Sequence, residues 1–200
     1  MAKNKRNRQA QIKRRRLQEA KLHRPLNLKM YDAPILGKVV APVPDVEAAR
    51  KLPLTQMVAT CKKYKGVGLG ANQVGLDARV VVIMLPNKDA FYLINPEITW
   101  VSDAVTKGPE GCLSYPGVSA DIERHDEIEV TWRDLNWDEH HMKFKNFEAR
   151  VIQHEIDHLD GICRVGDEWK RRKELASIEA QKTLAKIREA KIDSNVNGNA

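Results

Sequence analysis

Apolar positions along this chain switch between two periods. From residue 147 to 161 (FEARVIQHEIDHLDG) Phe147, Val151, Ile152, Ile156 and Leu159 recur at mostly three- to five-residue steps. That spacing lays apolar stripes along a helix, and Gly161 supplies a C-terminal stop. Residues 54–64 (LTQMVATCKKY) read the same way through Leu54, Met57, Val58 and Cys61. The other period is two. Residues 127–133 (EIEVTWR) alternate strictly, which predicts a half-buried strand, and after a polar loop at 134–139 residues 141–147 read as its hairpin partner. Residues 79–85, 91–94 and 97–101 predict successive strands, with Asn87-Lys88-Asp89 and Asn95-Pro96 as turns; LNLKMY, within the Pro-punctuated stretch 25–44, predicts a short strand. The Gly- and Pro-bounded segment 108–117 reads as a sharply shaped loop. Finally, residues 167–191 carry a sparse stripe of Trp169, Leu175, Ile178, Leu184 and Ile187 on a charged background, which predicts a helix packed by one face, with residues 193–200 frayed.

Length fits one domain of about 150 residues with appendages. The boundaries suggested are a basic arm over 1–24, a domain over 25–165, a helix over 166–192 and a tail over 193–200. The longest apolar run, RVVVIMLP at 79–86, is too short for a bilayer, and the N-terminus lacks the apolar stretch of a secretory signal. Cys61, Cys112 and Cys163 are scattered and odd in number, which argues for a reducing compartment and a cytoplasmic protein. Charge is lopsided: ten of the 34 Lys/Arg but one of the 27 Asp/Glu lie in residues 1–24, so the arm carries +9 and the remainder −2. Such an arm reads as disordered, either binding RNA or ribosomal phosphates without regard to sequence or serving as a solvated solubility tail.

The chemistry concentrates on the helix at 147–161. His154-Glu155-Ile156-Asp157-His158 is an HExxH pentapeptide. Residues four apart on a helix lie one above the other, so both imidazoles can hold one metal ion, while Glu155 can reach a water at its open position. Upstream, the Gly-rich run 66–75 (GVGLGANQVG) follows a helix and precedes a strand, the reverse of a dinucleotide fingerprint, and contains no P-loop lysine. Its glycines instead allow close approach of a ligand backbone, with Gln73 as a neutral donor beside it. The third ligand separates enzyme classes. Arg164 stands where a metzincin would have its last histidine, and arginine cannot ligate a cation. Glu174 and Glu179, at roughly the thermolysin spacing, sit in a charged helix that reads as surface. Cys112 is left as a thiolate donor.

Three segments together resemble the peptide deformylase family: GVGLGANQ (66–73), EGCLS (110–114) and QHEIDHLDG (153–161), in order and in register between about Leu26 and Arg164. The resemblance implies an α+β fold in which antiparallel strands pack around a central metal-binding helix, with a C-terminal helix. It implies removal of the N-formyl group from N-formylmethionyl peptides, releasing formate, by a monomer with no membrane attachment. Carried over residue by residue, it makes Cys112, His154 and His158 the metal ligands, Glu155 the general acid/base, and Gln73 with the Leu113 backbone N–H the oxyanion donors. Val67, Gly68, Leu69 and Val151 become candidates for the methionine pocket, Gly66–Gly68 an edge on which the substrate backbone pairs, and Glu110 with Arg124 an ion pair steadying the cysteine loop. The ion implied is Fe2+, with Zn2+, Ni2+ or Co2+ able to occupy the same donors. Departures are Gly70 where the family usually has alanine, Ser119 about where many members have arginine, the basic arm, and the region after Arg164. The competing readings are an HExxH zinc peptidase and a basic RNA-associated protein with a structural metal site; the latter would normally show four protein ligands.

Overall fold

The computed structural model describes residues 12–14, 23–86 and 88–197, with side chains described as far as residue 183. Most of the basic arm, Asn87 of the expected 87–89 turn, and residues 198–200 of the expected tail lie outside the described residues. Among the described residues seven strands form two antiparallel sheets: β1 (Gly68–Gly70), β2 (Val80–Ile83), β3 (Phe91–Val101), β6 (Glu127–Arg133) and β7 (Glu139–Lys145) in the order β1-β2-β3-β6-β7, and a separate hairpin of β4 (Val105–Cys112) with β5 (Tyr115–His125). Beyond the helical residues 12–14, four α-helices accompany them among the described residues: α1 (Val46–Lys51), α2 (Leu54–Lys63), α3 (Asn146–Leu159) and α4 (Arg164–Asn197).

Both faces of the larger sheet are covered. Val81, Ile83, Leu93, Ile128, Val130 and Phe144 meet Ala149, Ile152, Ile156 and Leu159 of α3, whereas Val80, Val82 and Ile94 join Leu54, Met57 and Cys61 of α2 in a second cluster. All four residues of β2 are therefore buried, which is why its sequence is a continuous apolar run and not an alternating one. β6 has one covered face, and its burial alternates as its sequence does. Each fully buried Ile or Leu of α3 removes enough apolar surface from water to contribute roughly 1.5–3 kcal/mol. Gly161, at φ +72, ends α3, and its ideal Cβ would stand 2.8 Å from the Gly37 backbone, so no side chain fits there.

The α+β architecture around a central helix is as expected from the sequence; several details differ. LNLKMY forms no strand, although Lys29 N–H donates to the Gln73 carbonyl at 2.7 Å. Asn95-Pro96 is not a turn. It is a bulge within the single strand β3, where Asn95 takes φ +52 and its side chain bonds both the N–H and the carbonyl of Val43 at 2.8 Å. Segment 108–117 is not a loop but the closed end of the β4–β5 hairpin, tightly connected at Leu113 and Ser114. Phe147 is 51% exposed, because it lies at the start of α3 and off its buried stripe. The last helix continues to Asn197, so residues 193–197 are helical and not frayed; no glycine or proline interrupts residues 167–197. It is seated at its first turns, where Val165 and Trp169, with Cys163 just before the helix, pack on Cys112 and Tyr115.

Candidate active site

Helix α3 brings His154 and His158 one turn apart, with ring centroids 4.9 Å apart and nearly perpendicular planes. The hairpin end brings Cys112 against them: its Sγ lies 3.2 Å from His158 Nε2. One ligand atom from each of these three residues lies within 4.8 Å of the others, the only such metal-capable group among the described residues. Electrostatics suit a cation. Burial, reinforced by the charge on His154, holds His158 well below its usual pKa, so it is a neutral imidazole able to donate a lone pair. The neighbouring Cys163 thiol and burial both push the Cys112 thiol up, so a positive ion is what would hold it as a thiolate. Glu155 Oε2 is a buried acceptor with no hydrogen-bond partner among the described residues. Three soft or borderline donors, a free carboxylate oxygen alongside and space beyond fit a divalent cation with one position open.

Glu110 organises this group. Its carboxylate accepts from His154 Nδ1 at 2.9 Å, from Arg124 Nε and Nη2 at 2.9 and 3.0 Å, and from Arg150 Nη1 at 2.7 Å. Burial alone would raise its pKa; the bonds from His154 and Arg124 outweigh it and bring the carboxyl down to about 2. The Glu110–Arg124 pair expected from the sequence is thus present, and it extends to His154 and to Asp157, which accepts from Arg124 Nη1 and from Arg164 Nε. Arg164 is engaged there on the surface, and Glu174 and Glu179 are exposed.

Glu155 is buried against the glycine run. An ideal Cβ on Gly68 would stand 2.4 Å from Glu155 Oε1, so the backbone approaches the carboxylate as only glycine can. Burial pushes the Glu155 carboxyl up to about 7. Gln73, 2% exposed, is oriented by its own turn: Oε1 accepts from Gly70 N–H at 2.9 Å, leaving Nε2 to face Ser114 Oγ at 3.3 Å and Cys112 Sγ at 3.5 Å. Leu113 sits in the hairpin connection next to Cys112. A cavity of about 510 Å³ opens over these groups, and Val67, Gly68, Leu113, Val151, His154 and Glu155 are among its lining residues.

Leu69 is a correction. It is fully buried in the second core cluster and does not line the cavity. It pairs with Val82, and directly opposed residues share a face, so its side chain goes with Val82 towards α2. Sequence reasoning missed Arg150, whose Nη1 also reaches the Ile122 carbonyl at 2.8 Å and whose Nη2 reaches the Thr106 carbonyl at 2.6 Å, tying α3 to the hairpin. Its position one helical turn before His154 was the available signal. Ser114 and Cys163 were missed as well, and nothing in their spacing marks them.

A thiol and two imidazoles around an open position, with a buried carboxylate alongside, define a metal-dependent hydrolase. Comparison with known proteins narrows the class. Residues 25–174 match the family model for polypeptide deformylase. A peptide deformylase of Natranaerobius thermophilus is 39% identical over 137 residues, covering 68% of this chain and 86% of that protein. The crystal structure of peptide deformylase from Thermotoga maritima superposes with a TM-score of 0.67 at 34% identity, covering 70% of this chain and 95% of that one. A Met-Ala-Ser-bound peptide deformylase from Acinetobacter baumannii superposes with a TM-score of 0.65 at 31% identity, over 70% of this chain and 96% of that one. The chain belongs to the polypeptide deformylase family, metal-dependent hydrolases that remove the N-formyl group from nascent peptides. The match reaches ten residues beyond Arg164, into the seated turns of α4. No described helix is long and apolar enough to cross a membrane.

Proposed function

We propose that Cys112, His154 and His158 hold one divalent ion, Fe2+ in the working enzyme with Zn2+, Ni2+ or Co2+ able to replace it, and that the site deformylates N-formylmethionyl peptides. The observation that carries this reading is the convergence of the three ligand atoms with Glu155 and Gln73 at one cavity. When bound, such an ion lowers the pKa of its water towards neutrality and polarises the formyl carbonyl. Glu155 would take a proton from the attacking water and pass it to the leaving amine. A carboxyl titrating at about 7 can do both near neutral pH. Gln73 Nε2 and the Leu113 N–H donate to the formyl oxygen as it becomes negative; the amide is uncharged and its other end is engaged by Gly70, so it donates without disturbing the proton balance. Val67, Gly68 and Val151 form walls for the methionine side chain, and Gly66–Gly68 offers a backbone edge to the peptide.

The test is to load the full chain anaerobically with Fe2+, Ni2+ or Zn2+, add formyl-Met-Ala-Ser, and assay formate and the free amine. Stoichiometric formate is expected, fastest with iron. Cleavage of a peptide bond instead would establish the zinc-peptidase reading, and no turnover with any ion would leave a structural metal site. The enzyme is proposed to act as a monomer in the cytoplasm. The +9 arm is proposed to contact ribosomal or other RNA phosphates; deleting residues 1–24 should then abolish a salt-sensitive ribosome association, and unchanged binding would remove the idea.

A further inference from the structure

The cavity has a charge on its rim that deformylation itself does not use. Its charged lining side chains, apart from His154, are Lys65, Glu110, Arg150 and Glu155. Glu110 and Arg150 are paired with each other, and Glu155 is buried. Lys65 is exposed and has no acidic partner among the described residues. Its neighbours Lys62 and Lys63 close the last turn of α2, where the helix dipole favours cations, and Lys63 also lies over the Tyr64 ring at 5.0 Å. Lys65 has neither reason. It stands past the helix end at φ +56, a left-handed position where glycine or asparagine is the usual residue. The turn is closed by Lys65 N–H to the Lys62 carbonyl at 3.1 Å and Gly66 N–H to the Cys61 carbonyl at 2.9 Å, so the backbone carrying the ammonium is held. It runs directly into Gly66–Gly68, part of the cavity wall. The rim residues Pro116, Gly117, Val118 and Phe147 bear no charge.

We propose that Lys65 is a specificity determinant: the cavity favours formyl-methionyl peptides that carry an Asp or Glu within the first few residues after the methionine. The inference rests on the deformylase reading of this cavity. A peptide leaving over Gly66–Gly68 takes its downstream side chains past an unpaired ammonium, and a carboxylate there completes an ion pair while a lysine is repelled. Pairs this exposed are weak and screened by salt, so the expected preference is about two- to five-fold.

The test is steady-state kinetics on the metal-loaded full chain with formyl-Met-Ala-Ser, formyl-Met-Asp-Ser, formyl-Met-Ala-Asp and the two lysine counterparts. At roughly 20 mM salt, kcat/KM for the better acidic peptide should exceed that for formyl-Met-Ala-Ser by about two- to five-fold, with the lysine peptide below it. The difference should reside in KM and shrink at roughly 500 mM salt. Lys65→Gln should flatten the order and Lys65→Glu should reverse it. Equal kcat/KM across the charges in the wild type, or a preference that Lys65→Glu leaves in place, overturns the proposal while deformylation stands. Release of no formate from any peptide overturns both.

Discussion

The Glu110 carboxylate accepts the Nδ1 proton of His154 at 2.9 Å, which places a proton on that nitrogen and leaves Nε2 as the ring atom whose lone pair a metal would take. The same carboxylate is clamped by Arg124 and Arg150, so the ring orientation is inherited from a buried ion-pair cluster that joins α3 to the hairpin. Partners that orient a ligating histidine commonly matter 10- to 100-fold in metal affinity. Glu110→Gln should therefore weaken metal binding by about that factor, measured by competition with a chromogenic chelator. An unchanged dissociation constant would mean the cluster serves the fold alone.

Glu155→Gln should behave differently. It touches none of the ligand bonds, so metal content measured by atomic emission should stay stoichiometric while kcat falls by about 10²–10⁴, the usual contribution of a general acid/base. Retained turnover would move the proton transfer to another group.

Gln73→Leu removes the amide while keeping a side chain of similar size at a buried position. A loss of about 10²–10³ in kcat, with metal content intact, is expected for one oxyanion donor. A change confined to KM would reassign Gln73 to substrate binding.

Gly68→Ala places a methyl group where the Glu155 carboxyl lies, since the ideal Cβ meets Oε1, Cδ and Cγ of that residue. The side chain can swing aside, so the fold should survive with its melting temperature nearly unchanged while activity drops towards that of Glu155→Gln. Full activity in a folded Gly68→Ala protein would refute the close approach.

The Glu110 cluster also carries a pH signature in the metal-free protein. The carboxyl's ordinary value of 4.5 is lowered in the fold to about 2. A group depressed in this way stabilises the fold above its unfolded pKa, and that stabilisation is lost as pH falls from about 4.5 towards 2. Thermal melts across that window should show a steeper decline for the wild type than for Glu110→Gln. Parallel curves would show that the pair contributes nothing net.

Residue spacing revealed α3 because its core face and its chemistry share one helical period, and it revealed β6 because one covered face makes a strand alternate; β7, with only Phe144 buried, was expected at 141–147 and lies at 139–145. The hairpin was hidden for the opposite reason. Its buried positions are Glu110, Cys112, Tyr115, Ala120 and Arg124, a set with one large apolar side chain and two charged ones, and Gly108, Pro109, Pro116 and Gly117 punctuate it like a loop. Leu69 went astray because a motif gives proximity in sequence, whereas strand pairing decides which face a side chain takes. The ends of the Glu110 cluster, Arg150 and Asp157, required the pairing of hairpin with helix, which no local period encodes.

Helix α3 holds two imidazoles and a carboxylate within five consecutive residues, each turned by about 100° from the next along the backbone. A single-residue insertion or deletion between His154 and His158 would swing one imidazole a quarter-turn or more away from the other and turn Leu159 out of phase with Ile152, so site and core would fail together. Length variation in this protein should accordingly be confined to connections such as 134–138, where the chain can grow outward into water.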